Sequence, residues 1–321
     1  KLVDDILDLK MPASQLRPEV MAFKSILLDV SDFNACPDAG IASGETITRH
    51  GLAISPSNAA RCTDDYVRTI QFIRGAHAAV EELLHQGKGS VHLLYAGCGP
   101  LAVLLIPLLL KFKGLPVRFT VVDIHQESIQ SVNSILNQLS LDSPSISLIC
   151  GDAMTCVKDL ADAPDVVLVE VMQAGLNTEP QVAVCRKVMK NYPLATLIPE
   201  SISLSLKWVD PQVEFNQFEE NKAKYRRDLG VVFKVDKSEI ACWSNIENDI
   251  VPAAAITFPD DLGLSGVIQI FTEIQVYKGI ELTAYQSGLT TPLYFDIDII
   301  RSSGKQIHFQ YKVTGNPGLF Y

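Results

Sequence analysis

Four short apolar runs, at 91–95, 119–123, 146–150 and 166–170, stand in the middle of this chain, and each ends at or just before a glycine or a carboxylate. Helix-length segments separate them, among them a polar stretch at 126–139. Strand, helix, strand, helix at this spacing predicts a parallel sheet with crossover helices. Either side of it the pattern changes. Residues 1–90 read as mainly helical: Leu2, Ile6, Leu7 and Leu9 fall at helical spacing between Asp4, Asp5 and Asp8. A second helix follows Ser57 and carries Tyr66, Ile70, Phe72, Ile73, Val80 and Leu83. A loop-like stretch with Pro37, Gly40, Gly44, Gly51 and Pro56 lies between them. After residue 198 the period becomes two. Ile202, Leu204, Leu206 and Trp208 alternate with Ser201, Ser203, Ser205 and Lys207, and similar runs recur at 267–277, 280–284, 293–300 and 306–313, some of them divided by turns at Lys278-Gly279 and Ser303-Gly304. That predicts an antiparallel β domain, a sandwich or barrel, with a polar helix at 215–229 interrupting it. The expected layout is a helical segment over 1–90, an α/β domain over 91–198 and a β domain over 199–321.

Composition narrows the function. At 321 residues, 47% hydrophobic and 20% charged, the chain can bury sizeable cores and is not a disordered one. A net charge of −10 argues against a general nucleic-acid binder and suits a cationic substrate, although solubility alone accounts for many acidic proteins. The 7 cysteines form no C-x-x-C pair and have no histidine at ligand spacing, so free thiols in a reducing cytoplasm, and no metal, are expected. No segment reads as a signal peptide. The longest apolar run, 101–110, is broken by Pro107 and too short to span a bilayer.

The ends of the runs carry the chemistry. Gly97 and Gly99 follow the first strand, where a backbone without Cβ lets a nucleotide come close. Gly97-x-Gly99-x-x-Ala102 also fits a dinucleotide fingerprint, or a turn with no ligand. Asp123 ends the second strand, placed to accept both hydroxyls of a ribose, with Ile124 beside it. Asp152 and Ala153 follow the third, where the carboxylate can face an adenine amino group. Arg68, in the helix before the first strand, can pair with a carboxylate. A dinucleotide enzyme would share Gly97, Gly99 and Asp123 but has no special use for Asp152 or Arg68. Each residue alone is more often a surface charge or a helix cap. Together, in strand order, they favour a methyl donor, S-adenosylmethionine, leaving as S-adenosylhomocysteine.

From about residue 64 onward, at low overall similarity, the chain resembles the protein arginine methyltransferases, a family of Rossmann-like methyltransferases. Asp65-Tyr66-Val67-Arg68-Thr69 is similar to the segment whose arginine binds the methionine carboxylate of the cofactor. Tyr95-Ala96-Gly97-Cys98-Gly99-Pro100-Leu101 resembles the glycine motif, with Tyr95 where an acid is usual and Leu101 where a third glycine is usual. Asp123 matches the ribose-binding acid. Glu170-Val-Met-Gln-Ala-Gly-Leu-Asn-Thr-Glu179 resembles the double-glutamate loop, and Leu197-Ile198-Pro199-Glu200 the lead into the β-barrel. The Thr-His-Trp loop of the family is replaced at 287–292 by a stretch without His or Trp, and the N-terminal Tyr-Phe motif is not recognisable. The resemblance implies cofactor contacts from Arg68, Tyr95, Ala96, Gly97, Gly99, Asp123, Ile124, Asp152, Ala153 and Glu170, catalytic roles for Glu170 and Glu179, and dimer formation.

Two carboxylates suit a guanidino acceptor. Methyl transfer is an in-line displacement, and a guanidinium is planar, cationic and poorly nucleophilic. A pair of glutamates can hold its N–H groups in a fork, turn one nitrogen to the methyl group and draw positive charge away from it. A simpler alternative makes Glu170 an ordinary strand-end residue and Glu179 a first-turn acid of a helix near Pro180. The expected acceptor is arginine, a peptide or a small cationic metabolite. Other possibilities are a different small-molecule acceptor or a silent binding scaffold. His125 reads as a solvated loop residue with an adenine or ribose contact as the alternative, Trp208 and Trp243 as core or interface of the β domain, and Arg226-Arg227 as a solvated helix face with a dimer contact as the alternative.

Overall fold

The computed structural model describes residues 1–33, 43–141, 143–215, 226–243, 245–246, 248–259, 262, 266–295 and 306–321. Helices α1 (Leu2–Leu7) and α2 (Arg17–Val30) pack on a later, longer helix. Between them and it lies a two-stranded hairpin, β1 (Thr46–Thr48) and β2 (Gly51–Ala53), where the sequence pattern reads as loop. Strands of three residues are too short to show a period. Next come α3 (Pro56–Arg61), capped by Ser55, and the long helix α4 (Tyr66–His85), capped by Asp65. Buried Arg74 of α4 fastens α1 by donating to the carbonyls of Ile6, Asp8 and Met11 at 2.6–2.8 Å.

The parallel sheet then forms from β3 (Val91–Ala96), β4 (Val117–Asp123), β5 (Ile146–Cys150), β6 (Val166–Val169) and β7 (Thr196–Ile198), in the order β5-β4-β3-β6-β7. Four of these strands match the apolar runs, and the short β7 is additional. The crossovers include α5 (Ile106–Lys111), α6 (Gln126–Gln138), α7 (Ala153–Cys156) and α8 (Gln181–Asn191). Every residue of β3 and β6 is buried, as a strand covered on both faces requires. Successive strands run outward from β3 in one direction to β5 and in the other to β7. The chain order therefore reverses between β3 and β6, the place where an open α/β sheet leaves a crevice at its carboxyl edge. This is a Rossmann-type fold.

Beyond it lie β8 (Ser201–Val209), α9 (Pro211–Glu214), β9 (Arg226–Asp236), α10 (Lys237–Cys242), β10 (Ile250–Thr257), β11 (Val267–Tyr277), β12 (Ile280–Leu282), β13 (Leu293–Phe295), β14 (Gln306–Lys312) and β15 (Gly318–Phe320). They make two antiparallel sheets, β12-β11-β8-β9 with β13 beside β11, and β10-β14-β15. Trp243 and Tyr311 both stack on the buried ring of Phe233, at 5.4 and 4.5 Å, and Trp208 packs half-buried against the core.

The helix expected at 215–229 is corrected where it is described. Residues 226–229 begin β9, pairing with Val209, Trp208 and Lys207 of β8, while 216–225 lie outside the described residues. Arg226 is not on a solvated helix face. It holds Glu214 through two nitrogens, one at 2.8 Å, and lies over the Phe271 ring at 4.9 Å. Its strand partners are distant in sequence, so local polarity suggested a helix. The turn at 303–304, the run at 296–300 and Cys36 also lie outside the described residues. The other 6 cysteines are free thiols. Among the described residues no group of His, Cys, Asp and Glu could hold a metal ion, and no helix is long and apolar enough to cross a membrane.

Candidate active site

The carboxyl edge of the sheet opens into a cleft. Its wall brings together Arg68, Tyr95, Gly97, Gly99, Asp123, Ile124, Asp152, Ala153, Glu170 and Glu179. Ala96, named with them from the sequence, lies behind the wall, fully buried, its carbonyl 3.3 Å from the Glu170 N–H. The turn at Gly97 has φ +85, and a Cβ there would stand 2.3 Å from Val171 Cγ1 and 3.0 Å from the Glu170 carbonyl oxygen. Only glycine lets the strand end pass this close to the Glu170 loop.

Asp123 ends β4 buried at the cleft wall. Its Oδ2 accepts from the Gly99 N–H at 2.8 Å and its Oδ1 from the His125 N–H at 2.9 Å. The Cys98 thiol also donates to Oδ2, at 3.8 Å; a carboxylate has about four acceptor positions, so one, on Oδ1, remains for a ligand. Asp152 is the N-cap of α7, accepting from the Met154 N–H at 2.8 Å, and also faces the cleft; the cap and a ligand contact are compatible. His125 is not a solvated loop residue. It occupies the N-cap position of α6 without a side-chain cap, lines the cleft, and its Nε2 lies 3.1 Å from Thr46 Oγ1 of the hairpin.

The charged centre is Arg68 with Glu170. Glu170 is buried and Arg68 partly so, and the two side chains are hydrogen-bonded to each other across 102 positions of sequence. Burial disfavours the Arg68 cation, but the Glu170 charge, the Cys62 sulfur and the hydrogen bonds to both together outweigh it and the guanidinium stays protonated. Burial lifts the Glu170 carboxyl above its usual range and Arg68 pulls it back; its second oxygen, Oε1, is buried with no hydrogen-bond partner among the described residues. Glu179 is pushed up to about 8, by burial first and by the Glu170 charge second. Both carboxyls at the cleft are thus held above the usual carboxylate range, with a neutral, buried Tyr95 phenol beside them.

The loop between the glutamates is fixed by distant partners. The Gly175 N–H donates to Thr272 of β11 at 2.9 Å, buried Tyr311 of β14 donates to the Leu176 carbonyl at 2.5 Å, and the Thr178 carbonyl accepts from Leu52 of the hairpin at 2.9 Å. The hairpin and the turn after α3 also supply Thr48, Ala53, Cys62 and Thr63 to the wall. No local pattern marks these residues, because each reaches the cleft only through tertiary packing. The stretch at 287–292 sits against the start of α4, where Ser287 Oγ and the Gly288 N–H donate to Asp65 at 2.6 and 2.8 Å.

No family model matches the chain, and no curated protein matches it in sequence. Among solved structures it is similar to the Trypanosoma brucei PRMT1 enzyme-prozyme complex with AdoHcy, at 13% identity and TM-score 0.49 over 78% of this chain and 86% of that one. Arabidopsis thaliana protein arginine methyltransferase 10 follows at 12% identity and TM-score 0.48, with the same coverages. MtNAS in complex with MTA and tNA matches at 15% identity and TM-score 0.31 over 59% and 66%. Likeness at this level carries no chemistry across to this chain. The chemistry rests on the cleft itself.

Proposed function

We propose that this chain is an S-adenosylmethionine-dependent N-methyltransferase whose acceptor is a guanidino group, in arginine, a peptide or a small cationic metabolite. The observation that carries it is the meeting of two buried carboxyls, Glu170 and Glu179, in the cleft that Gly97 and Asp123 also line. The residues present fit the cofactor. The buried Oε1 of Glu170 lacks a hydrogen-bond partner among the described residues, and Asp123 keeps acceptor capacity at the cleft wall. S-adenosylmethionine, when bound, supplies an electrophilic methyl group and leaves as S-adenosylhomocysteine.

In this proposal Asp123 accepts from a ribose hydroxyl and Asp152 from the adenine amino group. Arg68 spends one nitrogen on Glu170 and keeps other N–H donors for a carboxylate. Glu170 and Glu179 hold the acceptor. Arrival of a cation beside Glu179 lowers its proton affinity, so binding releases a proton and completes a two-carboxylate fork. The fork turns one acceptor nitrogen to the methyl group, and one carboxylate or water takes the proton lost on transfer. A dinucleotide would use Gly97 and Asp123 equally well but gives the glutamate pair no task.

Mass analysis of L-arginine and of arginine-containing peptides after incubation with S-adenosylmethionine tests the acceptor, a gain of one methyl mass being the expected result. Glu170→Gln is expected to lower turnover by roughly 10²-fold or more, as loss of a charged group aimed at the reacting centre does, with S-adenosylhomocysteine affinity within a few-fold of wild type. Equal turnover would refute the role of Glu170.

A further inference from the structure

The strand that carries Glu170 loses its neighbour early. β6 pairs with β7 in the register Val166 to Thr196, Val167 to Leu197 and Leu168 to Ile198, and the Thr196 N–H donates to the Asp165 carbonyl at 2.8 Å. Continued by two residues, that register would set residue 200 opposite Glu170, donating to the Val169 carbonyl and accepting from the Val171 N–H. The ladder stops instead. β7 ends at Ile198, Pro199 has no N–H, and the Glu200 N–H goes to the Val276 carbonyl at 3.1 Å.

Both groups left open are nevertheless filled, by one side chain. Gln181 donates through Nε2 to the Val169 carbonyl at 3.0 Å and accepts through Oε1 from the Val171 N–H at 3.0 Å. Its Nε2 also lies 3.4 Å from Cys185 Sγ, and the residue is fully buried. It opens α8, two positions after Glu179. We propose that the Gln181 carboxamide stands in for the missing ladder residue and is the positioning residue that sets the Glu170 backbone relative to Glu179. The catalytic meaning of that spacing rests on the function proposed above; the spacing itself does not.

Titration of ¹³C-labelled glutamate carboxyls, with Glu179 assigned through Glu179→Gln, tests this. Glu179 faces Glu170, Arg68 from α4 and Cys62 ahead of it, and of these only Glu170 is braced by Gln181. Gln181→Met keeps the bulk and removes both hydrogen bonds, and is expected to lower the Glu179 midpoint by about one pH unit or more as Glu170 moves away. Gln181→Glu, buried and therefore protonated, can still donate and accept, and is expected to hold the midpoint within about half a unit. An unmoved midpoint in Gln181→Met, or an equal fall in both variants, overturns the proposal. Should Gln181→Met not fold, Gln181→Asn, a methylene shorter and unable to reach both groups, is judged by the same shift. Calorimetry with S-adenosylhomocysteine on the wild-type sample reports separately on the function: absence of binding there removes the methyltransferase proposal and leaves the ladder claim to the titration.

Discussion

Glu179 is buried beside a second carboxyl, and the cheapest way to keep both there at neutral pH is for one to hold its proton. With its midpoint pushed up to about 8 in the folded chain against an ordinary 4.5, Glu179 binds more proton folded than unfolded between those values. The stability this contributes is present in full below about 4.5 and is lost as pH rises through about 8. Glu179→Gln does not titrate. The melting temperature of wild type minus that of Glu179→Gln is therefore expected to fall steadily from about pH 5 to pH 8. A difference that stays flat across that window would mean the carboxyl is not buried as described. At this scale the strand-end residues Gly97, Asp123, Asp152 and Glu170 were legible, because a carboxyl edge is set by strand ends. The Arg68–Glu170 pair was not, since it depends on a partner far along the chain, whereas a helix cap was among the readings open for Asp152.

Among the elements, the loop between Glu170 and Glu179 draws its shape from outside the parallel sheet. Tyr311 of β14 and Thr272 of β11 hold its middle, and the β1–β2 hairpin holds its end. Tyr311→Phe leaves the buried Leu176 carbonyl without its donor and is expected to cost about 1–3 kcal/mol in denaturant unfolding. If the loop holds the acceptor as proposed, the variant is also expected to lower turnover more than it weakens S-adenosylhomocysteine binding. Equal loss in both, or in neither, would detach the loop from the acceptor. Periodicity found the strands that are long and fully buried or cleanly alternating. It missed β7 and the hairpin, at three residues a strand, and it missed β9, where Arg226, Arg227 and Asp228 look like a helix face until their partners in β8 and Glu214 are known.

For the whole molecule, the change of period near residue 198 marked the passage from parallel to antiparallel pairing, and the structure makes that passage between β7 and β8. What no period could convey is that the second architecture reaches back to brace the first, through Tyr311, Thr272, Ser287 and Trp243, whose carbonyl accepts from Arg186 of α8 at 3.0 Å. The cleft is therefore a product of both parts, and its central claim is a nucleoside held at Asp123. Isothermal titration of S-adenosylhomocysteine into wild type and Asp123→Ala, with NAD as the competing ligand, measures this directly. The account predicts a saturable heat with wild type, an affinity lower by roughly 10-fold or more in Asp123→Ala as a charge-assisted hydrogen bond is removed, and none with NAD. Tight binding of NAD, or equal affinity of both proteins for S-adenosylhomocysteine, would contradict it.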